Sequence, residues 1–122
     1  TVSHWMDEYP NLYTEIASRI GELGRQPFTA RQFILKHQDR VLFGTDGPWP
    51  EERLGYYWRF MQTRDEYFPY SEKRPQPQGL WYIYGLGLPD EALRKIYYRN
   101  ALRILPGVTD QYQRVAAEFT RE

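Results

Sequence analysis

Asp46 is the residue with the clearest opportunity for chemistry. It stands at the end of a short apolar run, Val41-Leu42-Phe43-Gly44-Thr45, and is followed at once by Gly47-Pro48-Trp49-Pro50. Neither proline has a backbone N–H, so an extended strand cannot run far past Asp46. The pattern predicts a buried strand over 41–46 that delivers one carboxylate to its C-terminal tip, then a turn into a helix. In parallel α/β folds such tips are where ligands and reacting groups are held. A carboxylate there can ligate a cation or accept a proton. Thr45-Asp46-Gly47-Pro48 is also good turn chemistry in its own right.

Five other residues are candidates for the same pocket. Glu15 and Ser18 lie at the end of a second predicted strand, over 11–17. Arg19 and Arg25 come after it and are suited to a substrate carboxylate. Trp49, on the Asp46 loop, is suited to a planar substrate, and equally to packing. The two histidines are weaker candidates. His4 falls on the polar side of a first helix, and His37 ends the apolar stripe of a later one, where a packing role near the helix C-terminus is expected.

The elements that position these groups are set by periodicity. Val2, Trp5, Met6 and Tyr9 make a helical stripe that stops before Pro10. The segment 18–26, with Gly21 and Gly24, reads as a loop and lacks the context of a nucleotide fingerprint. Thr29 and Gln32 predict a capping box, with Phe28 stapled against Phe33. A helix from Pro50 to about residue 67 carries Leu54, Tyr57, Trp58 and Met61 on one face, with Glu51 and Glu52 in its first turn. Residues 68–88 read as an irregular insertion, rich in proline up to Gly79 and in aromatic residues and glycine after it. Pro89 opens a helix that Pro106-Gly107 stops, and a final amphipathic helix occupies 109–122.

Composition narrows the function classes. The 122 residues carry 16 Lys+Arg and 16 Asp+Glu, a formal net charge of zero that gives no electrostatic case for nucleic acid or a membrane surface. The absence of cysteine removes disulfides, thiolate metal ligands and a thiol nucleophile, without fixing the compartment; the cytoplasm is the default. No run reaches the length of a membrane span. The expected order is helix, strand, helix, strand, helix, helix, helix, an α/β arrangement with parallel strands. Two strands are too few for a parallel sheet buried on both faces. Together with an amphipathic helix opening at residue 1, this leads to the expectation that the chain is a piece of a larger protein or a processed product.

Three segments carry a family resemblance. Tyr9-Pro10-Asn11-Leu12-Tyr13-Thr14-Glu15 resembles the "PNvyvD" strand of the metal-dependent amidohydrolase-related family, whose members include aminocarboxymuconate-semialdehyde decarboxylase-like barrels. Val41-Leu42-Phe43-Gly44-Thr45-Asp46-Gly47-Pro48 resembles its "ilFGTDyP" strand. Gly87-Leu88-Pro89-Asp90-Glu91, Lys95-Ile96 and Asn100-Ala101-Leu102-Arg103 resemble its closing helix. The resemblance implies the C-terminal portion of a (β/α)8 TIM-like barrel, with these as strands seven and eight. A complete barrel takes about 250 residues. It implies hydrolysis of an amide, lactone or ester, or non-oxidative decarboxylation, by the full barrel acting on a small molecule.

The resemblance further implies that Asp46 lies at a divalent metal, usually zinc, and takes a proton from its bound water. The family's His-x-His on the first strand and its later histidines have no counterpart here. The expectation is therefore a chain inactive and without tightly bound metal by itself, completed by an N-terminal part of the barrel. The alternative is a non-catalytic half-barrel that forms homo-oligomers or binds protein partners, using exposed strand edges and the arm at 80–88.

Overall fold

A computed structural model describes residues 1–48 and 50–120. At its centre two strands, β1 (Thr14–Glu15) and β2 (Val41–Leu42), run parallel with Thr14 opposite Val41 and Glu15 opposite Leu42. Flanking bonds lengthen the ladder slightly: Thr14 N–H donates to Arg40 O at 3.0 Å and Ile16 N–H to Leu42 O at 3.3 Å. Both strands lie where the apolar runs predict, but they are shorter than the runs. Ser18 (φ 55) ends the first run and Asp46 (φ 64) the second, each in the left-handed region. The strand glycine is explained by its neighbour: a Cβ on Gly44 would stand 2.8 Å from Glu15 Oε2.

The outer edge of β2 is not open. Phe43 N–H donates to Ile96 O at 3.0 Å, and the Asn100 side-chain amide donates to Val41 O at 2.8 Å and Gln38 O at 2.7 Å. Both the Ile96 acceptor and the Asn100 donor come from the long closing helix, so the expectation of two exposed strand edges is corrected to one, that of β1. The closing helix comprises α5 (Asp90–Arg94), a π-helical turn (Lys95–Arg99) and α6 (Asn100–Ile104). Ala92, Leu93, Ile96 and Asn100 are its buried residues, and Pro89 caps its start in extended conformation.

The other helices wrap this pair. In α1 (Val2–Glu8) only Met6 is buried, while Val2 and Trp5 of the predicted stripe, with Tyr9 just beyond the helix, face outward. The Arg40 guanidinium, just before β2, ties down the end of α1 and the segment after it, donating to Met6 O at 2.6 Å, Tyr9 O at 2.9 Å and Leu12 O at 3.2 Å. The expected loop at 18–26 contains one helical turn, α2 (Ile20–Leu23). Helix α3 (Pro27–Lys36) starts earlier than the Thr29 capping box predicts, with Pro27 in the first turn and Phe28 85% exposed. Proline fits that position because its missing N–H would be unbonded there anyway, and Thr29 is thereby inside the helix.

Helix α4 (Glu51–Gln62) buries Tyr57, Phe60 and Met61, leaves Trp58 exposed, and stops at Thr63 rather than near residue 67. Phe68 to Leu88 is an irregular excursion that is well tied down. Phe68 and Ile83 exchange an antiparallel pair of backbone bonds, and the buried Gln76 side chain accepts from Tyr70 N–H at 2.8 Å and donates to Trp81 O at 2.7 Å. Ile83, Leu86 and Leu88 join Ile16, Ile20, Ile34, Val41 and Phe60 in one core. The last helix, α7 (Val108–Phe119), comes after Gly107 (φ 78) and buries none of its residues; Tyr112 stacks on Tyr98. Among the described residues, no helix is long and apolar enough to cross a membrane.

Candidate functional site

The tips of β1 and β2 converge. The Asp46 carboxylate accepts a hydrogen bond from Ser18 Oγ at 3.1 Å, joining the turns after the two strands. Beneath them Tyr57, from the second turn of α4, places its hydroxyl to accept from Ser18 N–H at 3.0 Å. Burial is the main reason the Tyr57 phenol titrates above its ordinary range; the Ser18 bond and Arg53 oppose the rise, and the Asp46 and Glu15 carboxylates add to it. Tyr57 thus stays a neutral phenol at physiological pH.

A cavity of about 280 Å³ opens over this cluster, lined by Ser18, Asp46, Arg53, Tyr57, Tyr70 and Lys73 among others. Its far wall is the excursion, held against the segment after β1 by three bonds. Gln78 Nε2 donates to Ser18 O at 3.2 Å, Trp81 Nε1 to Gly21 O at 2.7 Å, and Tyr84 N–H to Gly24 O at 3.0 Å. The Tyr70 hydroxyl in turn accepts from the Gln78 and Gly79 N–H groups, both at 2.9 Å. Across the cavity Arg53 Nη2 meets Glu72 Oε1 at 3.4 Å. The Glu72 carboxyl is held below its ordinary range chiefly by its own backbone N–H; burial opposes this, and Arg53 and then Lys73 add to the lowering.

The candidate residues separate. Asp46 and Ser18 share this cavity. Glu15 packs over Gly44 close enough to act on Tyr57, yet it lines a different, larger groove of about 810 Å³ beside the outer edge of β1. Arg19 lines that same groove and pairs with Glu22 at 3.2 Å. Arg25 lies elsewhere, its guanidinium 4.2 Å over the Trp81 ring. Glu15, Arg19 and Arg25 are thus not among the residues lining the Asp46 cavity: the chain turns at Ser18, and α2 carries the next residues away from the strand tips. Trp49 falls outside the described residues.

Sequence reasoning misses Arg53, Tyr57, Tyr70 and Lys73. For the first two a signal exists. Tyr57 reads as part of an apolar stripe, and Arg53 sits one turn before it, in the first turn of the helix that Asp46 leads into. Tyr70 and Lys73 depend on how the excursion folds back, which no local pattern encodes.

Among the described residues no group of three His, Cys, Asp or Glu side chains converges to hold a metal ion. His4 is on the surface beside Glu8 at 3.4 Å, and His37 is buried with its Nε2 2.9 Å from Ser3 Oγ. A catalytic zinc takes three protein ligands and an open position, so these residues do not fit one by themselves.

Comparison with known proteins gives a family match. The model of a family described as "Amidohydrolase" matches residues 1–107, which takes in both strands, the Asp46 cavity and the closing helix and ends just before α7. No curated protein and no solved structure matches the chain.

Proposed function

The chain belongs to the amidohydrolase family, and on that footing we propose that it forms one side of the active site of a metal-dependent hydrolase, with Asp46 as a catalytic carboxylate. The observation that carries this reading is the Ser18–Asp46 bond at 3.1 Å, which fixes a carboxylate at the C-terminal end of one parallel strand from the end of its neighbour. The family's fold is a TIM barrel, and a small parallel pair covered by helices is consistent with part of one. Under this reading β1 and β2 are the seventh and eighth strands, and the metal, zinc in the first instance, is held by ligands outside this chain.

Asp46 has a definable task in such a reaction. Ser18 occupies one carboxylate oxygen and sets the rotamer, which leaves the other oxygen to accept a proton from an attacking water. The water oxygen bonds to the substrate carbonyl carbon, the C–N or C–O bond breaks, and Asp46 returns the proton to the leaving nitrogen or oxygen. General base catalysis of this kind contributes about 10²–10⁴-fold. Tyr57, kept neutral by burial, supports Ser18 from below and does not compete as a base.

A second reading, a non-catalytic half-barrel, has its own support in the sealed outer edge of β2, where Ile96 and Asn100 already satisfy Phe43 and Val41. The experiment that separates the two is an assay of the purified native gene product against amides, lactones and esters, with carbon dioxide release from aromatic acids monitored in parallel. Hydrolysis supports the proposed reading; carbon dioxide release in its place makes the enzyme a decarboxylase. Turnover of none of them favours the non-catalytic module.

A further inference from the structure

Arg53 and Glu72 both line the cavity that holds Asp46, and they form an ion pair there. The guanidinium belongs to the first turn of α4, with a Gly47 Cβ only 3.7 Å from Nη1 if one were present, so the fork lies against the turn after Asp46. Its contact with Glu72 is long, 3.4 Å from Nη2 to Oε1, and both side chains remain partly exposed, at 33% and 39%. A carboxylate or phosphate that met the fork squarely would make two parallel bonds of about 2.7–2.9 Å. Glu72 is delivered by the excursion, which is fixed to the rest of the molecule at Ser18 and Gly21 and is held in shape by Tyr70 and Gln76. The backbone that carries Glu72 is therefore placed beside Arg53 by the anchored excursion. Lys73, the next residue, lines the same cavity and adds a second positive charge.

We propose that Arg53 is an oxyanion subsite of the Asp46 cavity, and that Glu72 is its built-in occupant, displaced when a small molecule bearing a carboxylate or phosphate enters. The inference rests on the reading of this cavity as a substrate site. It goes further by naming the group that recognises the ligand and the residue that guards it.

Displacement predicts that removing Glu72 tightens binding. An exposed ion pair of this kind opposes a competing anion by about two- to five-fold. The test is an amide and side-chain NMR titration of the 122-residue chain with sodium acetate and, separately, with inorganic phosphate, at a constant ionic strength of about 0.1 M so that screening is fixed. The expected result is saturable shifts at Arg53 and Gly47 with either or both probes, about two- to five-fold tighter binding in Glu72→Gln, and loss of saturation in Arg53→Gln. Arg53→Lys, which keeps the charge and loses the fork, weakens binding. Tighter response to acetate assigns a carboxylate ligand, and tighter response to phosphate a phosphoryl one.

Glu91→Gln, which removes the same charge at the distant Arg99 pair, leaves affinity unchanged. The inference is overturned if neither probe saturates, if Glu72→Gln binds no tighter than the parent, or if Glu91→Gln tightens binding as much. It is also overturned if Arg53→Gln, folded by circular dichroism, still binds. Because the readout is binding, it stands or falls separately from hydrolysis: loss of the enzymatic reading leaves saturable binding at Arg53 in place.

Discussion

Replacing Asn100 by alanine tests how the sheet is held, and its effect can be worked out from the contacts. Asn100 is fully buried and its amide nitrogen donates to Gln38 O at 2.7 Å and Val41 O at 2.8 Å. Losing the two bonds removes about 1 kcal/mol each, and leaving the buried Val41 carbonyl without a donor costs about 1–3 kcal/mol more. One effect opposes this: Asn100 Oδ1 is itself buried without a partner among the described residues, and deleting it recovers about 1 kcal/mol. The net expectation is a loss of about 2–4 kcal/mol, a fall in Tm of about 10 °C for a domain of this size. Urea denaturation monitored by far-ultraviolet circular dichroism measures it, with an unchanged m-value showing that the loss lies in stability. Asn100→Asp is more damaging still, because it turns a carboxylate toward two carbonyl oxygens. A change within about 0.5 kcal/mol for Asn100→Ala would refute the assignment of the sealed β2 edge.

Four further outcomes are expected. Gly55, in α4, has open space around its missing Cβ, so Gly55→Ala stabilises by about 0.5–1 kcal/mol. Gly85→Ala instead drives a methyl to 2.1 Å from Thr63 O and destabilises by about 2 kcal/mol or more, both changes being read from the same denaturation curves. His37 titrates below its ordinary value because burial disfavours the imidazolium, with the nearby Asp7 opposing. Below about pH 6.5 the unfolded chain takes up a proton that the folded chain resists, so stability is full above that pH and declines as pH falls through the lowered folded value. His37→Gln flattens this part of the pH–stability profile. Ser18→Ala frees the Asp46 carboxylate and lowers kcat about 3- to 10-fold with KM little changed, which steady-state kinetics on the native gene product resolve.

The elements most legible in the sequence are those with redundant signals. The runs at 41–46 and 11–17 are apolar, short and bounded by proline or turn residues, and the strands are there. The helix after Pro50 has both a proline start and acidic residues in its first turn, and it falls short of its expected length only because Thr63 turns the chain into extended structure. Where two local signals compete, the wrong one is easy to prefer: Thr29 and Gln32 make a plausible capping box, but Pro27 sets the start of α3. Contacts between distant residues leave no trace. The Asn100 bond to Val41 spans 59 positions and that of Gln78 to Ser18 spans 60, and no periodicity reports either. For the same reason Asp46 and Ser18 can be found as a pair of tips, whereas Tyr70 and Lys73, gathered by tertiary folding, cannot.

The proposed chemistry turns on Asp46 as the proton acceptor at the strand tips. The most direct measurement is kcat/KM of the native gene product on its best hydrolysable amide, lactone or ester, compared with that of Asp46→Asn, which keeps the shape and the bond to Ser18 while removing the base. A base at this position predicts a loss of about 10²–10⁴-fold, carried by kcat, in a protein that folds as stably as the parent. Activity within a few-fold of the parent would contradict it.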